Sequence, residues 1–453
     1  MKRPLIPYPT SITWYDGARD LPASAITYLK DEKLPEEGYK LRINETEAVL
    51  SYATDAGRFY GEQTLRQLRN EDGTVPFVDI EDAPKFGWRG FMIDSSRHIQ
   101  TIDEIKTYIE AAARYKCNVF HWHLCDDPGW RLEIDRYPLL CELGAWRDGW
   151  GFGSDNMERY GGYFTKDQIR DIIKFCADRH ITVVPEFDIP GHSSAVVHSY
   201  PYLCCSGEGG DVKTSAAVFD GVLCAGKEST FEFCNNVLEE IMDLFPGKYI
   251  HIGGDEVPKD NWNNCPHCQK RLKEEGLKDG EALQGYFTRR IAAFIKAHGK
   301  TPIGWNEVLE AGLDPDDIVA TKWHDREGRC DDFANRGGKI IMEETSHVYL
   351  DYDYHRTPLG QTYTYRPQPD SMTDDGKKNV LGVEAPIWTE WVETFDRMCY
   401  MCFPRMLALA EIGWSDPAER DYDDFKARAE AQRDSLAAIG VKMAPYEDWD
   451  PEK

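Results

Sequence analysis

The segment Gly253-Gly254-Asp255-Glu256 sets two carboxylates side by side at the end of a strand-like run, 249–254. Like-charge repulsion between neighbouring carboxyls raises a pKa, and a carboxyl still protonated near neutral pH serves as a general acid. The two glycines leave room for a substrate or a loop to come close. In isolation such a segment is a turn with two solvated acids; its surroundings change that reading. Polar and aromatic residues gather where other strand-like runs end: Asp94, Arg97 and His98; His121 and His123, then Asp126 and Asp127; Glu186, Asp188 and His192. Further along come Trp305, Asn306 and Glu307, then Trp323 and His324, Glu343 and Glu344, and Trp388 and Glu390. His121 and His123 are two residues apart, so a strand puts both imidazoles on one face. With Asp126 they offer a metal site; histidines packed against neighbouring acids are the ordinary alternative.

The runs that must position these residues are 90–95, 119–124, 182–187, 249–254, 302–306, 318–323, 339–344 and 380–387. Helical spacing lies between several of them, at 102–115, 166–180, 231–245, 281–298 and 396–412. Strands joined by long crossovers predict an α/β chain with a (β/α)8 TIM barrel, whose active sites lie at the carboxyl ends of the strands. A doubly wound sheet is the runner-up, but no Gly-x-Gly-x-x-Gly follows a strand. Residues 1–83 read as a separate small α+β domain, with strands at 39–43, 48–53 and 75–80 and a helix at 58–68. Glu81-Asp82-Ala83-Pro84 marks the boundary, and 84–453 is the barrel. Loops 126–162 and 191–230 exceed structural need and are expected to build the site.

Composition narrows the partners. Acidic residues outnumber Lys and Arg by 79 to 53, a net charge of −26. That excludes a general nucleic-acid binder and disfavours anionic membranes. No apolar run approaches the roughly 20 residues of a membrane span. The start, Met1 to Pro9, carries three prolines and does not read as a signal peptide. Thirteen cysteines, scattered through helix and strand, read as buried reduced thiols and favour the cytoplasm. Cys265-Pro266-His267-Cys268 has zinc-knuckle spacing, but no second pair stands at matching spacing, so it reads as a structural loop. No metal or other cofactor is assigned. The 13 Trp and 23 Tyr exceed what a core prefers, and stacking on sugar faces is one use for them.

In order along the chain stand Trp88-Arg89-Gly90 with Asp94 and Arg97-His98, Phe120-His121-Trp122-His123-Leu124 with Asp126-Asp127, and Asp188-Ile189-Pro190-Gly191-His192. Then come His251-Ile252-Gly253-Gly254-Asp255-Glu256, Tyr349-Leu350-Asp351 and Pro386-Ile387-Trp388-Thr389-Glu390. Together they resemble the β-N-acetylhexosaminidases of glycoside hydrolase family 20, over most of the chain. The resemblance implies an exo-acting, retaining enzyme that removes terminal non-reducing β-linked GlcNAc or GalNAc from oligosaccharides or glycoconjugates. It implies substrate-assisted catalysis through an oxazolinium-type intermediate. Position by position, Glu256 would be the acid/base, Asp255 would hold the 2-acetamido group and Tyr349 would donate to its carbonyl oxygen. Arg89 would bind the C3 and C4 hydroxyls, and Asp351 and Glu390 hydroxyls at the far end of the sugar. Trp305, Trp323 and Trp388 would wall the pocket; Asp188 and His192, with Asp126 or Asp127, would support it. Glu384 replaces an expected uncharged amide, and with Asp353 and Tyr354 after Asp351 suggests extra acid near the site.

Three rivals remain. One is a two-carboxylate glycosidase with Glu256 as acid and Glu343 or Glu344 as nucleophile. Another is a metal-dependent hydrolase built on His121 and His123. The last is a carbohydrate-binding protein on a catalytically dead barrel. Against an Asp255–Glu256 nucleophile–acid pair, neighbours on an extended segment point apart, whereas a retaining pair faces across about 5–5.5 Å.

Overall fold

The computed structural model describes residues 3–149, 151–152, 158–325 and 327–452. Met1 and Lys2, and residues 150 and 153–157 of the first long loop, lie outside them. A five-stranded sheet comes first, in the order β1-β5-β3-β4-β2. Its strands are β1 (Ser11–Asp20), β2 (Thr27–Lys30), β3 (Tyr39–Ile43), β4 (Ala48–Tyr52) and β5 (Thr74–Asp82). Helix α1 (Asp55–Leu68) buries Tyr60, Leu65 and Leu68 toward it. Alternation is clean in β3, where Tyr39, Leu41 and Ile43 are buried. It is weak in β1 and β2, sheet edges with mostly exposed side chains: only Ile12, Trp14 and Tyr28 are half-buried against the core, too short a pattern to mark a strand.

Eight parallel strands then close into the expected barrel. They are β6 (Trp88–Asp94), β7 (Val119–His123), β8 (Thr182–Glu186), β9 (Tyr249–His251), β10 (Thr301–Trp305), β11 (Val319–Lys322), β12 (Ile340–Met342) and β13 (Val380–Ile387). Crossover helices include α2 (Ile102–Arg114), α3 (Lys166–Ala177), α4 (Glu228–Leu244) and α5 (Gly280–Ala297). Thr101 and Glu104 form a capping box that starts α2, and Thr165 and Gln168 one that starts α3. The single helix expected over 396–412 is two, α6 (Phe395–Cys402) and α7 (Arg405–Trp414). Pro404 between them has no N–H to continue the ladder.

Inside the barrel Trp88, Val119, Val184, Ile303, Val319 and Ile341 form an apolar cluster. A second set of inward-facing residues, His121, Glu186, His251, Glu343 and Glu384, is polar and buried. Interiors of this fold usually stack branched apolar side chains; a layer of acids and imidazoles needs another explanation.

Arg89 is not a sugar ligand. It lies near the start of β6, five residues before Asp94 and so about 16 Å from the carboxyl end of the strand. Its guanidinium donates to both oxygens of Glu37, at 2.9 Å each, and to the carbonyls of Phe86 and Lys116 at 2.8 Å. Nearby, buried Lys116 reaches Asp82 at 3.1 Å, and Trp414 Nε1 donates to the same carboxylate at 2.8 Å. Arg89 therefore joins the small domain to the barrel. Arg89→Ala is expected to lower unfolding free energy by about 2–4 kcal/mol, because buried carbonyls and a carboxylate lose their donors. Denaturant unfolding together with kinetics checks this; a loss of kcat/KM at unchanged stability would return Arg89 to the site.

Candidate active site

At the carboxyl ends of the strands lies a cavity of about 390 Å³, within the range of small-ligand pockets. The expected residues that line it are His192, Asp255, Glu256, Trp305, Trp323, Tyr349, Asp351, Trp388 and Glu390. Sequence reasoning gave no sugar-binding role to five others, Arg97, Ala216, Tyr352, Arg356 and Trp391. Arg97 takes the place expected of Arg89. It stands just after β6, held by Asp94 at 3.3 Å and Asp126 at 2.7 Å, with Glu390 at 3.7 Å and its guanidinium over the Trp388 ring. Its signal was in the sequence: Arg89 lies near the start of β6, and Arg97 follows its carboxyl end.

Trp305, Trp323, Trp388 and Tyr349 pack together in the aromatic wall. Trp305 lies 5.9 Å from Trp388, and Tyr349 lies 6.2 Å from Trp323 and 6.4 Å from Trp388, centroid to centroid. Each of two indoles is anchored by an acid: Trp305 Nε1 donates to Glu186 at 2.9 Å, and Trp323 Nε1 to Glu307 at 2.9 Å. At another part of the wall Asp351 is pushed up to about 7 by burial and then by the charge of Glu390.

The acid pair sits on a contorted segment. Gly253 (φ 61°), Gly254 (φ 99°) and Glu256 (φ 47°) all occupy the left-handed region, which a glutamate rarely adopts. The expected extended geometry is thus replaced by a reversing chain. Gly253 makes room for Asp188 rather than for substrate: a Cβ there would lie 1.6 Å from Asp188 Oδ1. Both carboxylates turn to one imidazole, with His192 Nε2 3.5 Å from Asp255 and 3.7 Å from Glu256. They share one side of the pocket. Burial pushes Asp255 up to about 7, helped by Glu307, Glu186 and Glu256 and opposed by His192.

Behind the pocket runs a chain of buried polar groups. His192 Nδ1 lies 3.1 Å from Asp126 and 3.5 Å from Asp127. Asp126 is the closer support and also receives His123 Nε2 at 2.9 Å; Asp127 instead accepts the Ser194 amide. His123 Nδ1 bonds Glu186, whose carboxylate also meets His121 Nε2 at 3.1 Å and His251 Nδ1 at 2.9 Å. His121 Nδ1 meets Glu384 at 2.8 Å, and Trp88 Nε1 closes the chain on Glu384 at 2.7 Å. Burial opposes charge on His121, but Glu186 and Glu384 hold it up at about 9.

This arrangement corrects two expectations. Glu384 is a partner of His121 and Trp88 inside the barrel, not extra acid at the site. Asp353 caps the Arg356 turn, and Tyr354 donates to the carbonyls of Tyr400 and Phe403. The rivals also lose their residues. Both nitrogens of His121 and of His123 face carboxylates behind the pocket, and neither ring lines the cavity. Glu343 is fully buried, its carboxyl raised well above the usual range by burial and by Glu384, and Glu344 lies by Lys322; neither lines the cavity.

Comparison with known proteins agrees with this geometry. Residues 86–417 match the catalytic domain of glycosyl hydrolase family 20, and residues 9–83 match domain 2 of that family. The beta-hexosaminidase of Porphyromonas gingivalis is 41% identical over 417 residues, 87% of this chain and 53% of that protein. The chain thus spans about half the length of that relative. The solved β-N-acetylhexosaminidase of Bacteroides fragilis superposes with a TM-score of 0.87 at 32% identity, covering 99% of both chains. The exo-β-N-acetylglucosaminidase of Vibrio harveyi, solved with N-acetylglucosamine, gives a TM-score of 0.88 at 31% identity, covering 98% of this chain and 78% of its own.

His192→Gln removes the group that favours ionised Asp255. The Asp255 titration midpoint is therefore expected to move above that of the parent protein, leaving more neutral acid at any given pH. Carbon-13 NMR of carboxyl-labelled aspartate, with Asp255→Asn to assign the resonance, reads the midpoint; an unchanged or lower value would contradict this electrostatic account.

Proposed function

Because the chain belongs to glycosyl hydrolase family 20, we propose that it is an exo-acting, retaining β-N-acetylhexosaminidase. It releases terminal non-reducing β-linked GlcNAc or GalNAc from oligosaccharides or glycoconjugates. The observation that carries this reading is the placement of Asp255 and Glu256 on one side, converging on His192. A retaining enzyme with a protein nucleophile needs its acid and nucleophile on opposite faces of the scissile bond. Here the nucleophile comes from the substrate. The carbonyl oxygen of the 2-acetamido group closes a five-membered ring on C1, forming a C–O bond as the bond to the leaving oxygen breaks.

Each pocket residue then has one task. Glu256 donates a proton to the leaving oxygen and later removes one from the water that opens the ring at C1. Asp255 accepts the amide N–H and stabilises the cationic ring. Tyr349 donates to the acetamido oxygen and aligns it. Trp305, Trp323 and Trp388 exclude water around the methyl and pack on the sugar face. Arg97, Asp351 and Glu390 take the hydroxyls remote from the scissile bond. Among the described residues, Asp255 Oδ1, Asp351 Oδ1 and His192 Nε2 are buried without a hydrogen-bond partner in the protein. Substrate supplies partners for the carboxylates, which gives binding energy that an analogue lacking those groups loses.

A panel of aryl β-glycosides with and without the 2-acetamido group tests the reaction. Asp255→Asn is expected to cut kcat far more than it raises KM, because its charge acts mainly in the transition state. Glu256→Gln is expected to spare substrates whose leaving groups need no proton, and a thiazoline mimic of the ring to inhibit strongly. A β-glucoside cleaved as fast as its GlcNAc counterpart, with a 2-fluoro sugar labelling a pocket carboxylate, would sink the mechanism. Chitin oligomers are expected to yield monomer before internal fragments; the reverse order would contradict exo action.

A further inference from the structure

The pair 265 and 268 is not an isolated loop motif. Cys205 and Cys224, from the long loop after β8, meet Cys265 and Cys268, which follow the Asp255-Glu256 segment after β9. Sulfur–sulfur distances are 3.7 Å for Cys224–Cys265, 3.6 Å for Cys224–Cys268 and 3.9 Å for Cys205–Cys268. A zinc ion bound at about 2.3 Å to four thiolates sets tetrahedral edges of about 3.8 Å. A disulfide needs about 2.05 Å, and its formation would break this spacing. We propose that these four cysteines bind a structural Zn²⁺ ion.

Three local features fit the ion. Cys265 directly precedes the helix Pro266–Glu274, and Cys268 lies in its first turn, so the positive helix end faces the thiolates. Gly226, two residues after Cys224, packs on the backbone between Cys265 and Cys268: a Cβ there would lie 2.2 Å from the His267 carbonyl carbon and 2.3 Å from Cys268 N. That bare contact lets the two loops approach closely enough to share a ligand sphere. Cys224, Cys265 and Cys268 are buried and Cys205 is partly exposed, leaving an entry side. Four protein ligands close the coordination sphere, so the ion holds structure and takes no substrate.

The position gives the clamp its consequence. The loop that carries Cys205 and Cys224 also supplies His192 and Ala216 to the pocket, and the partner segment carries Asp255 and Glu256. The metal ties together the two loops that shape the acid pair. The sequence spacing hid it, because 18 residues separate Cys205 from Cys224 while the other pair is a Cys-x-x-Cys.

Untagged protein, expressed in zinc-containing medium and desalted over chelating resin, is expected to retain about one zinc per chain by plasma mass spectrometry. Organomercurial titration is expected to release it into a chromogenic dye as the thiols react. Cobalt reconstitution is expected to give thiolate-to-cobalt charge-transfer absorption. Cys265→Ser/Cys268→Ser is expected to lose the zinc and lower Tm; if it fails to fold, Cys205→Ser, at the exposed corner, is expected to fold with weakened zinc retention. Protein free of zinc with four titratable thiols, a disulfide among these four by peptide mapping, or stoichiometric iron in their place would overturn the assignment.

Discussion

Glu186 carries a charge that has been taken out of water at the axis of the barrel, and much of the site follows from how that charge is satisfied. A buried carboxylate costs several kcal/mol unless it is paired and hydrogen-bonded. Burial raises the Glu186 pKa, but His123, His251 and His121 outweigh it and hold the group well below its ordinary value. Trp305 Nε1 adds a fourth contact at 2.9 Å. Every one of these partners is thereby fixed in place. Trp305 becomes a rigid pocket wall, and His123 holds Asp126, which in turn positions Arg97 and His192. A polar layer inside a barrel is therefore a rigid support: its members have nowhere else to go without losing a charged partner. Glu384 and Trp88 complete it at the amino end, where the apolar cluster keeps water out.

The same constraint explains what could be read from the sequence. The barrel was legible because its strands are buried and its crossovers are long, and the pocket because acids and indoles recur where strands end. Arg89 misled because a motif match carries no direction; its place at the amino end of β6 assigns it to the domain interface, and Arg97 to the pocket. Glu384 misled for a related reason, since an acid on an inward strand position reads as site acid until its partners are known. The edge strands β1 and β2 escaped notice because only Ile12, Trp14 and Tyr28 alternate toward the core, and the rest of each strand is largely exposed. The contortion at Gly253-Gly254-Asp255-Glu256 follows from the packing of Asp188 against Gly253, a contact between residues 65 positions apart.

Charge balance gives the last step. The pocket wall holds four carboxyls, Asp255, Glu256, Asp351 and Glu390, against Arg97, Arg356 and His192. Arg97 is tied to Asp94 and Asp126, and His192 to Asp126 and Asp127, so most of their charge is spent behind the wall. What faces the cavity is an excess of acid, four carboxyls with Arg356, in an aromatic surround. Burial first, and neighbouring acids second, resist full ionisation of this wall, and Asp255 and Asp351 are both pushed up to about 7. In the proposed reaction a positive charge developing on the sugar and its acetamido ring would relieve that strain, and the interaction would grow as the transition state is approached. On the proposed mechanism, the electrostatic cost of crowding acids together in the ground state becomes stabilisation of the cation. On that proposal the same field would oppose sulfated or sialylated sugars, whose fixed anions meet it in the ground state and the transition state alike.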